Sequence, residues 1–290
     1  MFIKNLALKI SHFLPDRLYL QLKYLQRMHK LLNLKDPQTF SEKLQWLKLY
    51  DRNQLYTTLV DKYAVKKWVG DKIGEQYIIP TFGVWNNFDE IDFDKLPDQF
   101  VLKTTHDSGG VVICRDKKRF DKQSARLKLT KSLKHDYFYH GREWPYKNVP
   151  HRIIAEKYML DKQTQELRDY KFFCFNGTPK MLFVASDRQN PNEETKFDFY
   201  DMDFNHLPFT NGHPNSSKQI AKPKSFEKMK ELAAVLSQHI PHVRVDFYET
   251  NGEVYFGELT LAHWSGMMPF EPTKWDKIIG DWLKLPGKKI

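Results

Sequence analysis

The stretch RVDFYETNGEVYFGELT, residues 244 to 260, puts Arg244 and Asp246 on one apolar run and Glu258 and Thr260 on a second, joined at Asn251-Gly252. Acids within strands rich in Val, Phe and Tyr are costly to bury unless a cation neutralises them. The face each side chain takes depends on register. A strict two-residue turn pairs residue 250 with 253 and, carried unbroken along the strands, sets Asp246 opposite Gly257 with Glu258 on the other face. A three-residue loop, Thr250 to Gly252 with a left-handed glycine, pairs 249 with 253, 246 with 256 and 244 with 258. That register gathers Arg244, Asp246, Glu258 and Thr260 on one face. The opposite face is then Val243, Val245, Phe247, Tyr255, Gly257 and Leu259, uniformly apolar, so patterning predicts the bulged loop. Diagonal neighbours across a strand pair lie about 7 Å apart, close enough for Asp246 and Glu258 to share one or two magnesium ions.

Four further stretches carry chemistry-bearing residues. In FVLKTTHDSGGVVIC, Lys103 ends an apolar strand before a small polar loop with the Gly109-Gly110 pair. Glycine amides there can close over a phosphate while the lysine neutralises it, though an ordinary Gly-Gly hairpin with a solvated lysine has the same composition. RIIAEKYML sets Glu156 and Lys157 inside an apolar run; the carboxylate needs a cation, a ligand or water, and an edge strand facing solvent would supply the last. Arg168 and Lys171 in LRDYKFFCFNG can hold the terminal phosphates of a nucleotide or be solvated strand-end charges. Asp201-Met202-Asp203, after KFDFY, has the Asp-x-Asp form that holds a metal-bound diphosphate in nucleotide-sugar glycosyltransferases, a tripeptide that also arises readily by chance.

The elements that must position these residues are legible in outline. Residues 1 to about 75 read as helical, with no glycine before Gly70 and a capping-box pattern, Thr39 with Glu42, ahead of Leu44, Leu47 and Tyr50. From Tyr77 short runs rich in Val, Ile, Phe and Tyr alternate with turn signals and read as strands. SFEKMKELAAVLSQHI interrupts them as an amphipathic helix, with Met229, Leu232, Ala233 and Leu236 on one face. The class is α+β, with no internal repeat. At 290 residues, 41% hydrophobic and 14% aromatic, the chain can build a sizeable core. Its +10 charge favours a polyanion: nucleic acid, anionic lipid or an acidic glycan. Cys114 and Cys174 are too few for a disulfide scaffold or a cysteine metal site and suit a reducing cytosol. Lys4 and Lys9 break the N-terminal apolar run, which argues against a signal peptide or membrane span. Phe2, Ile3, Leu6, Ile10 and Phe13 share a helical face fit to rest on the protein's own core or on a membrane surface.

Taken in order, TFSEKLQWLKLYDR, LVDKYAVKKWV, IIPTFGVW, FVLKTTHDSGG, REWPYKN, RIIAEKYM, DYKFFCFNG, RVDFYE and FGELT resemble segments of the ATP-grasp family, most closely its teichuronopeptide-biosynthesis (TupA-like) branch, associated with bacterial surface polysaccharides. The resemblance implies ATP sandwiched between two α+β subdomains, 76–155 and 156–290, preceded by the helical region 1–75. It implies an ADP-forming carboxylate–amine ligase that makes an acyl phosphate and captures it with an amine. Lys103 would contact the α phosphate, Asp107, Ser108, Gly109 and Gly110 would form the phosphate loop, and Glu156, Lys157 and Tyr158 would lie along the adenine, with Asp161 at the ribose. Lys171 would sit at the terminal phosphates, Arg244 at the transferring phosphoryl group, and Asp246 and Glu258 on Mg2+. Thr260 stands where many ATP-grasp enzymes have an Asn ligand, which leaves one metal or two open. Ser265 and Gly266 would serve where the usual glycine-rich acceptor loop is lacking, and His263 and Trp264 would shape an acceptor site for a sugar, whose ring suits a tryptophan face, with a packed core Trp the alternative. The partners implied are ATP, an acidic glycan or its lipid-linked precursor, and an amino acid or amine rather than nucleic acid, in the cytoplasm or at the inner membrane face. A nucleotide-sugar glycosyltransferase using Asp201 and Asp203 is the alternative.

Overall fold

A computed structural model describes residues 12–161, 167–186 and 193–288. The amphipathic face read at Phe2, Ile3, Leu6 and Ile10 lies outside them. Four helices come first: α1 (Asp16–Met28), α2 (Phe40–Tyr50), α3 (Leu55–Val60) and α4 (Ala64–Ile73). The capping box forms as its spacing predicts: Glu42 N donates to Thr39 Oγ1 at 3.3 Å and Thr39 N to the Glu42 carboxylate at 3.0 Å.

A four-stranded antiparallel sheet follows, from β1 (Thr81–Trp85), β2 (Phe100–Thr104), β3 (Val111–Cys114) and β4 (Ile153–Lys157), in the order β1-β4-β2-β3. Between β3 and β4 run α5 (Lys122–Leu133) and the short α6 (Phe138–Gly141). Phe100, Leu102, Ile153 and Ala155 bury one face of this sheet against Ala125 and Leu129 of α5. The alternate residues, Lys103 and Glu156 among them, are thereby turned to the other face. The edge-strand reading of Glu156 fails, because β4 is an interior strand paired with both β1 and β2.

The rest is β5 (Asp169–Phe175), β6 (Thr178–Ser186), β7 (Lys196–Asp201), β8 (Thr210–Asn211), α7 (Phe226–Leu236), β9 (His242–Thr250), β10 (Glu253–Thr260), β11 (Phe270–Glu271) and α8 (Lys274–Trp282). Five strands form an antiparallel sheet in the order β10-β9-β5-β6-β7, and β8 pairs with β11. Both faces of the large sheet are covered. Phe172, Val245 and Phe247 pack under α3, α4 and α7, while Phe173, Phe183 and Phe199 pack under α2 and α8. Cys114 and Cys174 are buried and free. Among the described residues no helix is long and apolar enough to cross a membrane.

The β9–β10 hairpin corrects the predicted register. Its turn is a strict two-residue one: Thr250 pairs with Glu253, and Asn251 (φ 52°) and Gly252 (φ 82°) are both left-handed. Asn-Gly meets the positive φ that a two-residue hairpin turn requires, so no third loop residue is needed. The extra residue is taken up farther along, at Gly257, where the register shifts between Phe256 and Glu258. A Cβ at Gly257 would lie 3.1 Å from both the Asp246 carbonyl and the Tyr248 ring, so glycine suits this close approach. Asp246 therefore faces Glu258 directly, rather than Phe256, and Arg244 faces Thr260, rather than Glu258. The expected one-sided grouping survives by another route, with Val254 and Phe256 instead of Tyr255 on the apolar face.

Candidate functional site

Register lines up Lys171 on β5, Asp246 on β9 and Glu258 on β10 as one row across three strands, with Arg244 and Thr260 in the next row. Asp246 is 1% exposed and Arg244 8%. Arg244 Nε and Nη2 each donate to one Asp246 oxygen at 2.7 Å, and Nη2 also donates to Glu258 Oε1 at 3.0 Å. Lys171 Nζ donates to the same Asp246 carboxylate and lies 3.5 Å from buried Asp169. Glu258 keeps about two-fifths of its side chain exposed at the rim. Burial pushes its carboxyl up, but Lys171, Arg244 and Lys62 together outweigh burial and hold it at about 2.

On the four-stranded sheet, Glu156 is gripped by Lys66 at 2.5 Å and Lys103 at 2.6 Å. Burial again raises its pKa, and the two ammonium groups reverse that and hold it at about 2. Beyond Lys103 the loop 105–110 closes on itself through Asp107. Thr104 Oγ1 donates to Asp107 Oδ1 at 2.5 Å, Gly110 N donates to the same oxygen at 3.1 Å, and Ser132 Oγ holds the other. The Asp107 carboxylate thus points into its own loop, while Ser108 and Gly109 form the exposed tip. Gly110 is required by crowding: an added Cβ would sit 1.9 Å from Thr104 Oγ1 and 2.4 Å from Ser132 Oγ, whereas Gly109 has nothing within 4 Å. Gly110→Ala is therefore expected to cost about 2–4 kcal/mol of stability, and Gly109→Ala less than about 1 kcal/mol. Chemical denaturation of both variants checks this; equal losses would mean the Asp107 clasp is not what shapes the loop.

Lys62, between α3 and α4, links the two sheets. Its Nζ donates to the Asp107 carbonyl, and its charge acts on both Glu258 and Glu156. Nothing in the sequence marks Lys62 and Lys66, both in LVDKYAVKKWV, because lysines on a helical run are ordinarily solvated. Tyr137 and Tyr146, edge to face with centroids 4.8 Å apart, stand between the loop and the acids, with Ser108 Oγ donating to Tyr137 Oη at 3.4 Å.

The acceptor-side residues separate. His263 is buried behind Arg244, with Arg244 Nη1 donating to its Nδ1 at 2.8 Å, so the expected sugar contact is Trp264 alone, 40% exposed. Trp264, Ser265 and Gly266 are successively left-handed (φ 49°, 57° and 63°), a strained turn. Gln45 and Lys48 of α2 hold it by its carbonyls: Lys48 Nζ reaches Ser265 O at 2.7 Å and Gln45 Nε2 reaches Gly266 O at 2.9 Å. Burial pushes the Lys48 pKa down to about 7.

Other expected residues lie away from the row. Lys157 is exposed and Tyr158 half-buried just past the end of β4. Asp161 accepts from Asn251 N at 2.7 Å and pins the hairpin turn. Arg168 precedes β5 by one residue. Asp201 caps its own turn at the end of the edge strand β7, accepting from Asp203 N at 2.9 Å and Asn205 N at 2.8 Å, on the side of the sheet opposite β10. Backbone needs account for that Asp-x-Asp.

The donors decide how well this face suits a divalent cation. Asp246 and Glu258 are paired directly across β9 and β10, and Thr260 lies two residues past Glu258 along β10. Among the described residues no group of three or more His, Cys, Asp and Glu is placed to hold a metal. Two hard carboxylates fit Mg2+, which takes one or two protein oxygens and completes its shell with phosphates and water.

No curated protein matches the chain. Among solved structures it is similar to D-alanine–D-alanine ligase from Helicobacter pylori, at 14% identity and TM-score 0.42, covering 84% of this chain and 69% of that one. The same enzyme from Bacillus anthracis, complexed with ATP, shows 17% identity, TM-score 0.40 and coverages of 70% and 55%. The ATP-grasp ligase PsnB with its minimal precursor shows 8%, 0.43, and 73% and 56%. The chain thus spans little more than half the length of the last two. The family model described as TupA-like ATPgrasp matches residues 42–284, which take in both sheets and every residue of the charged row. The chain therefore belongs to the TupA-like ATP-grasp family.

Proposed function

We propose that this protein joins a carboxylate of an acidic glycan, a uronic acid or glutamyl group, to an amino acid or amine during assembly of capsule or another surface polysaccharide. The observation that carries the reading is the Lys171–Asp246–Glu258 row with Arg244 beside it, linked through Lys62 to the Lys103–Glu156 pair and the loop tip on the other sheet. The small subdomain, expected over 76–155, runs to the end of β4 at Lys157, and the C-terminal one follows it, with ATP between the sheets. Lys103 takes the α phosphate, and the amides of Ser108, Gly109 and Gly110 close over the others, on a loop that Asp107 shapes from within. Glu156, Lys157 and Tyr158 border the adenine, and Asp161 lies at the ribose end. A substrate carboxylate oxygen attacks the γ phosphorus, the bond to the β-phosphate bridging oxygen breaks, and ADP leaves. The amine nitrogen then attacks the acyl carbon, phosphate departs, and one proton is released. Lys171 and Arg244 offset charge on the transferring phosphoryl group, where fixed donors act most strongly. Mg2+ on Asp246 and Glu258, with Thr260 as a weaker oxygen donor, would neutralise the phosphate oxygens.

Charge distribution supports the glycan substrate. Nine lysines and arginines stand against two aspartates between Arg115 and Lys134, a net +7 of the chain's +10, on the outer side of the small sheet. Such a patch draws in an acidic polymer or its lipid-linked precursor, and work on that precursor places the enzyme in the cytoplasm at the inner membrane face. The test is ADP release with ATP, Mg2+, a uronic acid or glutamyl acceptor and an amino acid, with mass spectrometry of surface polysaccharide from cells lacking the protein. Loss of an amide-linked amino acid is expected. Dependence on a nucleotide sugar, abolished by Asp201→Ala and Asp203→Ala but not by Glu258→Ala, would overturn it in favour of glycosyl transfer.

A further inference from the structure

The Arg244 guanidinium offers five N–H groups. Nε–H goes to Asp246, the two on Nη2 go to Asp246 and Glu258, and one on Nη1 goes to His263 Nδ1. The contact at His263 has only one possible sense, since arginine has no acceptor, so Nδ1 carries no proton. The same tautomer is imposed from behind. Asn211 Nδ2 donates to the carbonyls of Met268 and Pro269, both at 3.0 Å, which leaves its Oδ1 facing His263 Nε2 at 3.1 Å. Oδ1 can only accept, so Nε2 must carry the proton. His263 is 4% exposed and Asn211 2%, so water does not compete for these contacts. The chain of bonds runs from the backbone beside β11, through Asn211 and neutral His263, to the edge of the guanidinium, which the acids leave unheld.

We propose that His263 is a positioning residue for the ligase reaction: with Asn211 selecting its tautomer, it fixes the rotation of Arg244 so that the remaining Nη1–H is aimed at the transferring phosphoryl group. This rests on the function proposed above for Arg244. Asp246 and Glu258 alone cannot do the job, because both lie where Mg2+ would draw on them, while His263 lies outside that set. A neutral acceptor also holds Arg244 without consuming its charge, as a third carboxylate would.

Two substitutions separate positioning from packing. His263→Asn keeps an acceptor near the Nδ1 position and gives up the reach to Asn211, whereas His263→Gln keeps the reach toward Asn211 and gives up the acceptor. His263→Gln is expected to lower kcat by roughly 10- to 100-fold with KM for ATP changed less than about 3-fold, since a buried donor loses its partner. His263→Asn is expected to retain most of kcat. A second readout needs no turnover: in 15N NMR of the whole protein, wild-type His263 shows the Nε2–H tautomer. Separate Arg244 Nη–H resonances, slowed in rotation, persist in His263→Asn and merge in His263→Gln. If turnover is absent in the wild type, the functional reading fails and the NMR still decides the positioning. An Nδ1–H tautomer, equal losses in both variants, or retention of kcat and split resonances in His263→Gln would each overturn it.

Discussion

Glu258→Gln is expected to leave the protein folded and to reduce ATP turnover about 10³-fold or more, in the range found when a charge that meets the reacting group is removed. The two effects part company because of where Glu258 sits. It is the rim member of the row, two-fifths exposed, and Arg244, which bonds to it, retains the bidentate bond to Asp246. An exposed partner of this kind contributes no more than about 1 kcal/mol to stability. Asp246→Ala is the opposite case. It strips the buried Arg244 and Lys171 of the carboxylate they share, and breaking such a buried pair costs about 3–5 kcal/mol. Thermal melting with ADP-release assays over a Mg2+ series checks both. If Glu258→Gln kept wild-type turnover at every Mg2+ concentration, the carboxylate row would not be the catalytic face.

The second large effect concerns Glu156. Glu156→Gln is expected to destabilise the protein by about 3–5 kcal/mol and to weaken ATP binding at least 10-fold, because one neutral amide cannot hold two buried ammonium groups. The pH dependence follows from the direction of the shift. Lys103 and Lys66 overcome the effect of burial and hold the folded-state pKa at about 2, while an unfolded glutamate titrates near about 4.3. With the folded value the lower, the contribution is complete above about pH 4.3 and is lost as pH falls toward 2, a difference on the order of 3 kcal/mol. Urea denaturation at pH 5 and pH 3 should show the wild type losing more stability than Glu156→Gln over that interval. Equal losses would mean that the Lys66–Glu156–Lys103 pairing does not hold in solution. Glu258, also held at about 2, contributes in the same window, but its exposure screens the effect.

The local elements, and most charged residues of the candidate site, are legible in the amino-acid sequence. The capping box at Thr39 and Glu42, the apolar face of α7, the alternation along β9 and the Asn-Gly turn are all written in residues a few positions apart, where steric preference and side-chain period act directly. The family resemblance leads one to expect Lys103, Glu156, Lys171, Arg244, Asp246 and Glu258 in one site. Tertiary structure decided three things that short-range patterns do not encode. The hairpin slip occurs at Gly257 rather than in the turn, because a bulge settles where a missing side chain lets the partner strand approach. Glu156 is buried because β4 is inserted between two strands that precede it by about fifty residues or more, which puts Lys66 and Lys103 around it. Lys62 carries no signal in the sequence and His263 reads as part of the acceptor site; packing turns one toward both sheets and the other behind Arg244. The slip at Gly257 is decided by close approach of the partner strand, and the other two by the pairing of a buried charge with a group remote in the chain; only the folded molecule determines which groups meet.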